Sequence, residues 1–443
     1  RVPKRLGSVH TLSNNENMVY LINTKSKITK LLFRKKNSVF HTAFLDGKTM
    51  NLYGTTDYKR DRQGCARIPI NKPNRVFYVV EKPNKDISCS YGEWSKLYYL
   101  SESYKGRTEV TFYKTMFKNP IMVPKIFNNQ TVSPVAFDRT TKEMILKYSA
   151  ANTPGELYKF NINTKSITKV LDYNLSTIPR TDLAQSYDFE YKSFDGLNIH
   201  GILVAKPGWK TSGKKYPLVI WPHGGPDWHE SHNYRKWFQF LVLNDFVVYA
   251  PNVRGSTGYG KKFETLNDKD WGGGHIKDLV EARKAVEKLA WVDENNTFIY
   301  GGSFGGYSTL ATVAFQPDAF DAAVGVVAIG NLFTFMKSIP PDEAWQTEFK
   351  REIGDPVKDK ALYKERSPFF HVNNIKVPLQ IYQAENDVRT VKAEMDNFVA
   401  EMKKAGKPVE YTVLKDVGHG IARPEAQKQV VEGTVRFFKS KLK

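Results

Sequence analysis

The run Thr297-Phe-Ile-Tyr-Gly-Gly-Ser-Phe-Gly-Gly-Tyr307 decides the fold of the second half of this chain. Thr297 to Tyr300 are β-branched or aromatic and read as a buried strand. Gly301-Gly302-Ser303-Phe304-Gly305 then fits G-x-S-x-G, and Tyr307 to Phe315 reads as a helix. Strand, sharp turn and helix form the setting in which a serine is held up as a nucleophile. A serine on so tight a turn adopts strained backbone angles, so its glycine neighbours spare the strand and helix a clash. A capping serine on a glycine-rich turn would read the same locally, so the flanking chain has to decide.

Downstream, apolar runs alternate with helical stretches. Strands are expected at 218–221, 246–250, 297–300, 322–327, 379–383 and 410–414. Helices are expected at 237–243, 276–289, 307–315, 391–405 and 424–439. This alternation implies a mostly parallel sheet covered by helices on both faces. A serine hydroxyl needs a base, and the base an orienting acid, in the chain order Ser, Asp/Glu, His. Asp387 follows one late strand and His419 the next, so both fall in loops at the carboxyl edge of the sheet. Glu385 is a competing acid; His371 and His275 are competing bases that follow no late strand. The glycine loop of Trp221-Pro-His-Gly-Gly-Pro226 offers amides to a developing oxyanion, and we assign those donors to Gly225 and Phe304. His223 reads as a brace for that loop.

Other chemistries lack their motifs. Arg254-Gly-Ser-Thr-Gly-Tyr-Gly260 is glycine-rich but has no G-K-[ST], which a phosphate loop needs. H-E-x-x-H is absent, and so is C-x-x-C, so no metal or cofactor is expected.

Residues 1–183 read differently, as short strands broken by turns. Met18-Val-Tyr-Leu-Ile-Asn-Thr-Lys-Ser-Lys-Ile-Thr-Lys30 is echoed by Leu157-Tyr-Lys-Phe-Asn-Ile-Asn-Thr-Lys-Ser-Ile-Thr-Lys169, and residues 94–113 supply another hairpin. Units of about 40 residues with four strands each are the mark of propeller blades. Three to four blades fit here, a small or partial propeller, with a sandwich as the alternative. The domains are therefore 1–183 and 184–443.

The chain has 443 residues, 41% hydrophobic and 25% charged, in the range of globular proteins. No apolar run approaches the roughly 20 residues of a membrane span. The net charge is +20, of which residues 1–183 carry +17, from 31 Lys and Arg against 14 Asp and Glu. Those lysines are scattered singly and match no nucleic-acid module, so they read as solvated strand faces. Cys65 and Cys89 are the two cysteines. They form one disulfide in an exported protein or two thiols in a cytosolic one. The chain begins with Arg1, which we read as a trimmed N-terminus, leaving both compartments open.

Taken together, His223-Gly-Gly-Pro226, Asn252-Val-Arg-Gly-Ser-Thr-Gly-Tyr-Gly260, Trp271-Gly-Gly273, the Ser303 turn, Ser338-Ile-Pro-Pro341, Arg366-Ser-Pro368, Asn386-Asp-Val-Arg389 and Gly418-His-Gly420 resemble the prolyl oligopeptidase family, in particular its acylaminoacyl-peptidase-like bacterial branch. The resemblance covers residues 184–443. It implies an α/β-hydrolase domain with an N-terminal β-propeller, and Ser303, Asp387 and His419 as nucleophile, acid and base. It also implies short or N-acylated peptide substrates and makes a homo-oligomer an expectation. The front region is shorter than the family's seven- or eight-bladed propeller, and the paired glutamates of its dipeptidyl peptidases are missing. Asp342-Glu-Ala-Trp345 displaces the aromatic expected after Ser338-Ile-Pro-Pro341. Arg254, Phe333 and Trp345 are expected in the substrate pocket. An esterase on the same scaffold is the alternative enzyme. A binding protein that holds an acidic polymer with the basic front half is the alternative without catalysis.

Overall fold

The computed structural model describes residues 5–13, 16–124, 131–172, 178–341 and 344–443, so Asp342 and Glu343 of the displaced stretch lie outside the described residues. The chain divides into two compact units. The first is Arg1–Leu175 with His232–Tyr234 and Gly258–Lys262; the second is Ser176–Ser231, Arg235–Thr257 and Phe263–Lys443. The division thus precedes the expected 183/184 boundary. Leu183 is buried, and Ala184 is pinned through its N–H and its carbonyl to the Gln239 side chain at 2.8 and 3.1 Å.

The first unit is built of antiparallel meanders. β1 (Arg5–Ser13), β2 (Glu16–Asn23) and β3 (Thr29–Arg34) form a three-stranded sheet. β4 (Phe40–Asp46), β5 (Asn51–Thr56), β6 (Gly64–Pro69) and β7 (Phe77–Val80) form the next. β8 (Asp86–Gly92), β9 (Leu97–Tyr104), β10 (Arg107–Thr115) and β11 (Lys118–Met122) follow, then β12 (Thr131–Asp138), β13 (Glu143–Ala150), β14 (Thr153–Asn161) and β15 (Ile167–Asp172). The last three are four-stranded, blade-like sheets. Alternation along β2 buries Asn17, Val19 and Leu21 on one face. Val19 and Phe33 pack with Leu52 and Ile68 of the second sheet; Phe112 and Leu97 of the third pack with Met144 and Phe160 of the fourth. Cys65 of β6 is disulfide-bonded to Cys89 of β8, Cα to Cα 5.5 Å, which ties the second sheet to the third.

The repeated Asn-Thr-Lys-Ser sequence is not superposed as the sequence suggests. Asn23 opens the first turn, its Oδ1 accepting from the amides of Lys25 and Ser26. In the second it is Asn161, two residues ahead of the matching Asn163, that accepts from Asn163 and Thr164. Each turn then closes with a lysine at positive φ, Lys27 at 60° and Lys165 at 64°. The hairpin recurs, and its side-chain lock is set by the asparagine that ends the strand.

The second unit is a sheet in the order β16-β17-β19-β18-β20-β21-β22-β23. Its strands are β16 (Gln185–Lys192), β17 (Asn198–Ala205), β18 (Tyr216–Ile220), β19 (Val247–Asn252), β20 (Val292–Gly302), β21 (Ala322–Val326), β22 (Leu379–Ala384) and β23 (Val409–Leu414). β17 pairs antiparallel with β16 and β19; every pair from β19 to β23 is parallel. β19, β21 and β22 are buried at every residue, as two helix-covered faces require. The helices are α1 (Lys236–Leu243), α2 (Lys261–Glu264), α3 (Gly274–Val286), α4 (Phe304–Phe315), α5 (Leu332–Ser338), α6 (Ala344–Glu352), α7 (Lys360–Arg366), α8 (Lys392–Lys404) and α9 (Pro424–Lys439). This is the expected α/β-hydrolase architecture. Among the described residues, no helix is long and apolar enough to cross a membrane.

Candidate active site

Ser303 sits between the end of β20 and the start of α4 with φ 57° and ψ −121°. Such angles cost an L-residue about 1–3 kcal/mol and persist only where surroundings impose them. They are imposed here by backbone on both sides: Ser303 N–H donates to Val326 O and Tyr307 N–H to Ser303 O, both at 2.9 Å. A Cβ on Gly301 would lie 2.1 Å from Gly305 O, and one on Gly305 2.2 Å from Pro222 O. On Gly306 it would meet the Ala328 Cβ at 2.8 Å. Gly302 is different: its nearest neighbour would be Val326 O at 3.7 Å. Three of the glycines are therefore steric necessities, and Gly302 is not.

Ser303, Asp387 and His419, far apart in sequence, meet at the carboxyl ends of β20, β22 and β23. His419 Nε2 lies 2.9 Å from Ser303 Oγ, and His419 Nδ1 lies 2.8 Å from Asp387 Oδ2. Asp387 is buried and saturated with donors. Oδ1 accepts from the amides of Arg389 and Thr390 at 2.8 and 2.9 Å, and Oδ2 accepts from the Thr390 hydroxyl at 2.7 Å. Burial alone would raise this carboxyl, but the bonds from His419 and Thr390 hold it below its usual range, so it stays ionised. Thr390 was not among the expected site residues. Its signal was a threonine three residues after an aspartate, the spacing of a side chain that caps its own turn.

The competing residues have other employment. Glu385 Oε2 accepts from Asp416 N–H at 3.1 Å, bracing one loop against the other. His275 is buried against Phe304 and Tyr307, and burial pushes it down to about 3. His371 packs edge-on against Phe315, 5.2 Å between ring centres. His223 braces its loop as expected: Nδ1 faces Gly224 O at 2.8 Å and Nε2 the Ser256 hydroxyl at 2.7 Å. Burial lowers it to about 4, so the ring is neutral.

Gly225, at φ 133°, is another enforced glycine, because a Cβ there would lie 2.8 Å from Asp227 N. Gly225, Ser303 and Phe304 border one cavity of about 510 Å³. Phe304 opens α4, so its N–H has no carbonyl one turn back within the helix. The aromatic wall of this cavity is Trp271, Phe335, Trp345 and Phe349, with Ile329, Ile339 and Pro340 beside them. Trp345 borders this cavity, stacked on Phe349 at 5.7 Å.

Arg254 and Phe333, also expected in the substrate pocket, do not border this cavity. The Arg254 guanidinium is clamped by Asp278 at 2.8 and 2.9 Å and by Asp195 at 2.9 and 3.1 Å. It faces a separate cavity, with Gly272, Lys277 and Arg366. Phe333 packs instead on Tyr363 and Phe370. The wall residues that sequence reasoning missed, Trp271, Phe335 and Phe349, come from a loop and two helices with no fixed spacing from the serine.

Residues 232–443 match the prolyl oligopeptidase family. Dipeptidyl aminopeptidase BIII of Pseudoxanthomonas mexicana is 35% identical over 407 residues, 87% of this chain and 56% of that protein. The chain spans about half the length of the curated relatives it matches. Among solved structures, a puromycin-hydrolyzing peptidase of Mycobacterium tuberculosis superposes with a TM-score of 0.85 at 17% identity, covering 99% of this chain and 68% of that one. The acylaminoacyl peptidase of Pyrococcus horikoshii gives 0.78 at 21% identity, covering 99% and 69%. At those identities the superpositions speak for the fold.

Proposed function

Because the chain belongs to the prolyl oligopeptidase family, we propose that it is a serine peptidase that cleaves short peptides beside a large apolar residue. The observation that carries this reading is the pair of hydrogen bonds Ser303–His419–Asp387 at 2.9 and 2.8 Å. His419 Nε2 takes the proton as Ser303 Oγ attacks the scissile carbonyl carbon. The amides of Gly225 and Phe304 receive the oxyanion of the tetrahedral intermediate. His419 then returns the proton to the leaving amine, and an acyl-enzyme remains on Ser303. Water, deprotonated by the same imidazole, releases the acid and restores the serine. Asp387, kept ionised, holds the Nδ1–H and balances the imidazolium.

The preference for an apolar side chain comes from the aromatic cavity, whose walls offer dispersion contact and area to bury. The relative at 35% identity is a dipeptidyl aminopeptidase and one structural neighbour an acylaminoacyl peptidase. The amino-terminal preference is therefore tested with free and acetylated versions of each peptide.

The experiment is a matched panel of peptidyl anilides, free and N-acetylated, and p-nitrophenyl esters, with Ser303→Ala beside the native chain. Anilide cleavage lost by several orders of magnitude in S303A supports the reading. Ester turnover with no anilide turnover would transfer it to an esterase. Full activity in S303A would end it.

A further inference from the structure

Trp271 forms part of the cavity wall, and its single polar atom is spoken for. The indole N–H donates to Glu352 Oε2 at 2.9 Å. Glu352 is the last residue of α6, the helix that brings Trp345 and Phe349 to the same wall. It is 2% exposed, and its other oxygen accepts from Arg351 at 3.1 Å. Arg351 also bonds Glu348 and Asp268. One oxygen each of Asp227, Glu348 and Glu352 lies within 4.8 Å of the others. Asp227 stands two residues after Gly225. Glu348, Glu352 and Asp268 therefore share one guanidinium, Asp227 stands beside the first two, and Glu348 and Glu352 are buried. So many like charges at this spacing cannot all remain ionised, and the group retains a proton.

We propose that Glu352 is a positioning residue of the substrate cavity, holding the Trp271 indole in the wall and anchoring α6 in the carboxylate group that reaches Asp227 beside Gly225. The inference rests on the reading that the cavity receives the substrate's apolar side chain. Burial first, and the Asp227 charge next, push the Glu352 carboxyl well above its usual range, with Arg351 opposing and Glu348 adding to the rise. Asp268 is raised by burial too. The sign follows. A carboxyl raised on folding binds a proton that the unfolded chain has lost, so its contribution weakens as pH climbs from the ordinary carboxylate range through the folded value. Loss of that proton adds a negative charge between Asp227 and Glu352, and the wall and the loop repel.

The test follows kcat and KM separately from about pH 5 to 9 for the native chain, Glu352→Ala and Glu352→Gln, on anilides with phenylalanine or alanine at the cleaved position. A separate sample of each protein is labelled with a fluorophosphonate, which reports the reactivity of Ser303 apart from turnover. Failure of the native chain to label refutes the peptidase reading. Labelling with unaltered selectivity refutes only the positioning role. The native chain is expected to show KM for the phenylalanine substrate rising toward alkaline pH. E352A should raise that KM about tenfold already at neutral pH, the scale of one unpaired buried group, and move the alanine substrate less than about twofold. E352Q imitates the protonated carboxyl, so it should return KM near the native value and flatten the alkaline rise. If E352A does not fold, E352Q decides: an alkaline rise unchanged from the native chain overturns the proposal.

Discussion

Thr390 donates its hydroxyl to Asp387 Oδ2 at 2.7 Å, the same oxygen that faces His419 Nδ1 at 2.8 Å. The carboxylate that orients the imidazole is thus itself oriented by a hydroxyl. Thr390→Val removes that donor while the amides of Arg389 and Thr390 keep Oδ1 in place. We expect kcat/KM to fall about tenfold, one charge-assisted hydrogen bond's worth. Asp387 is held below its ordinary range by these bonds, so losing one raises it, and the acid limb of the pH–rate profile should move upward. A profile that falls in height without moving would show that Thr390 does not tune the carboxylate.

The strain at Ser303 gives a prediction of opposite sign for stability and activity. Glycine adopts φ 57° and ψ −121° at little cost. Ser303→Gly should therefore raise the unfolding free energy of the second unit by about 1 kcal/mol, strain relief net of the extra freedom gained by the unfolded chain. It should also abolish fluorophosphonate labelling. Denaturant unfolding read beside S303A checks this, and an S303G no more stable than S303A would mean the backbone pays no penalty there.

The relay was legible because each member follows a strand written as a buried apolar run, and glycines flank the serine and the histidine. What was hidden depends on partners distant in sequence. Arg254 reads as a free cation after a strand, yet its clamps lie 24 and 59 residues away at Asp278 and Asp195. Helix α4 begins at Phe304 rather than Tyr307, because Gly305 and Gly306, poor helix formers by propensity, are demanded by the close approach of Pro222 and Ala328. The segment from α5 to α7 carries much of the aromatic wall, and its short helices lack the periodicity that would have announced them. Cys65 and Cys89 are 24 residues apart, a spacing that leaves pairing open until β6 and β8 are seen as neighbours.

That disulfide should matter to the first unit. Closing a loop of this length removes about 3 kcal/mol of unfolded-chain entropy. Cys65→Ser with Cys89→Ser should lower the first unit's stability by about that amount, read as a lower denaturant midpoint, with a slope that rises because the unlinked unfolded chain exposes more surface. An equal midpoint in the double variant would show that the packing of Ile87 and Leu100 around the pair suffices alone.

The glycines around Ser303 supply the sharpest comparison, because two of them occupy the same motif with opposite surroundings. A methyl on Gly302 meets nothing nearer than 3.7 Å, whereas one on Gly305 would sit 2.2 Å from Pro222 O, on the loop that leads to Gly225. Backbone cannot yield as a side-chain tip can, so Gly305→Ala must push the Pro222–Gly225 loop from the serine or unwind the start of α4. Gly302→Ala should retain kcat within about threefold and stability within about 1 kcal/mol. G305A should lose at least two orders of magnitude in kcat by displacing both proposed oxyanion donors, since one such donor is worth about 10²–10³. Labelling rates and anilide turnover on the two variants decide it. Equal losses at both positions would mean the motif requires glycine for backbone freedom, and not because neighbouring atoms leave no room for a methyl.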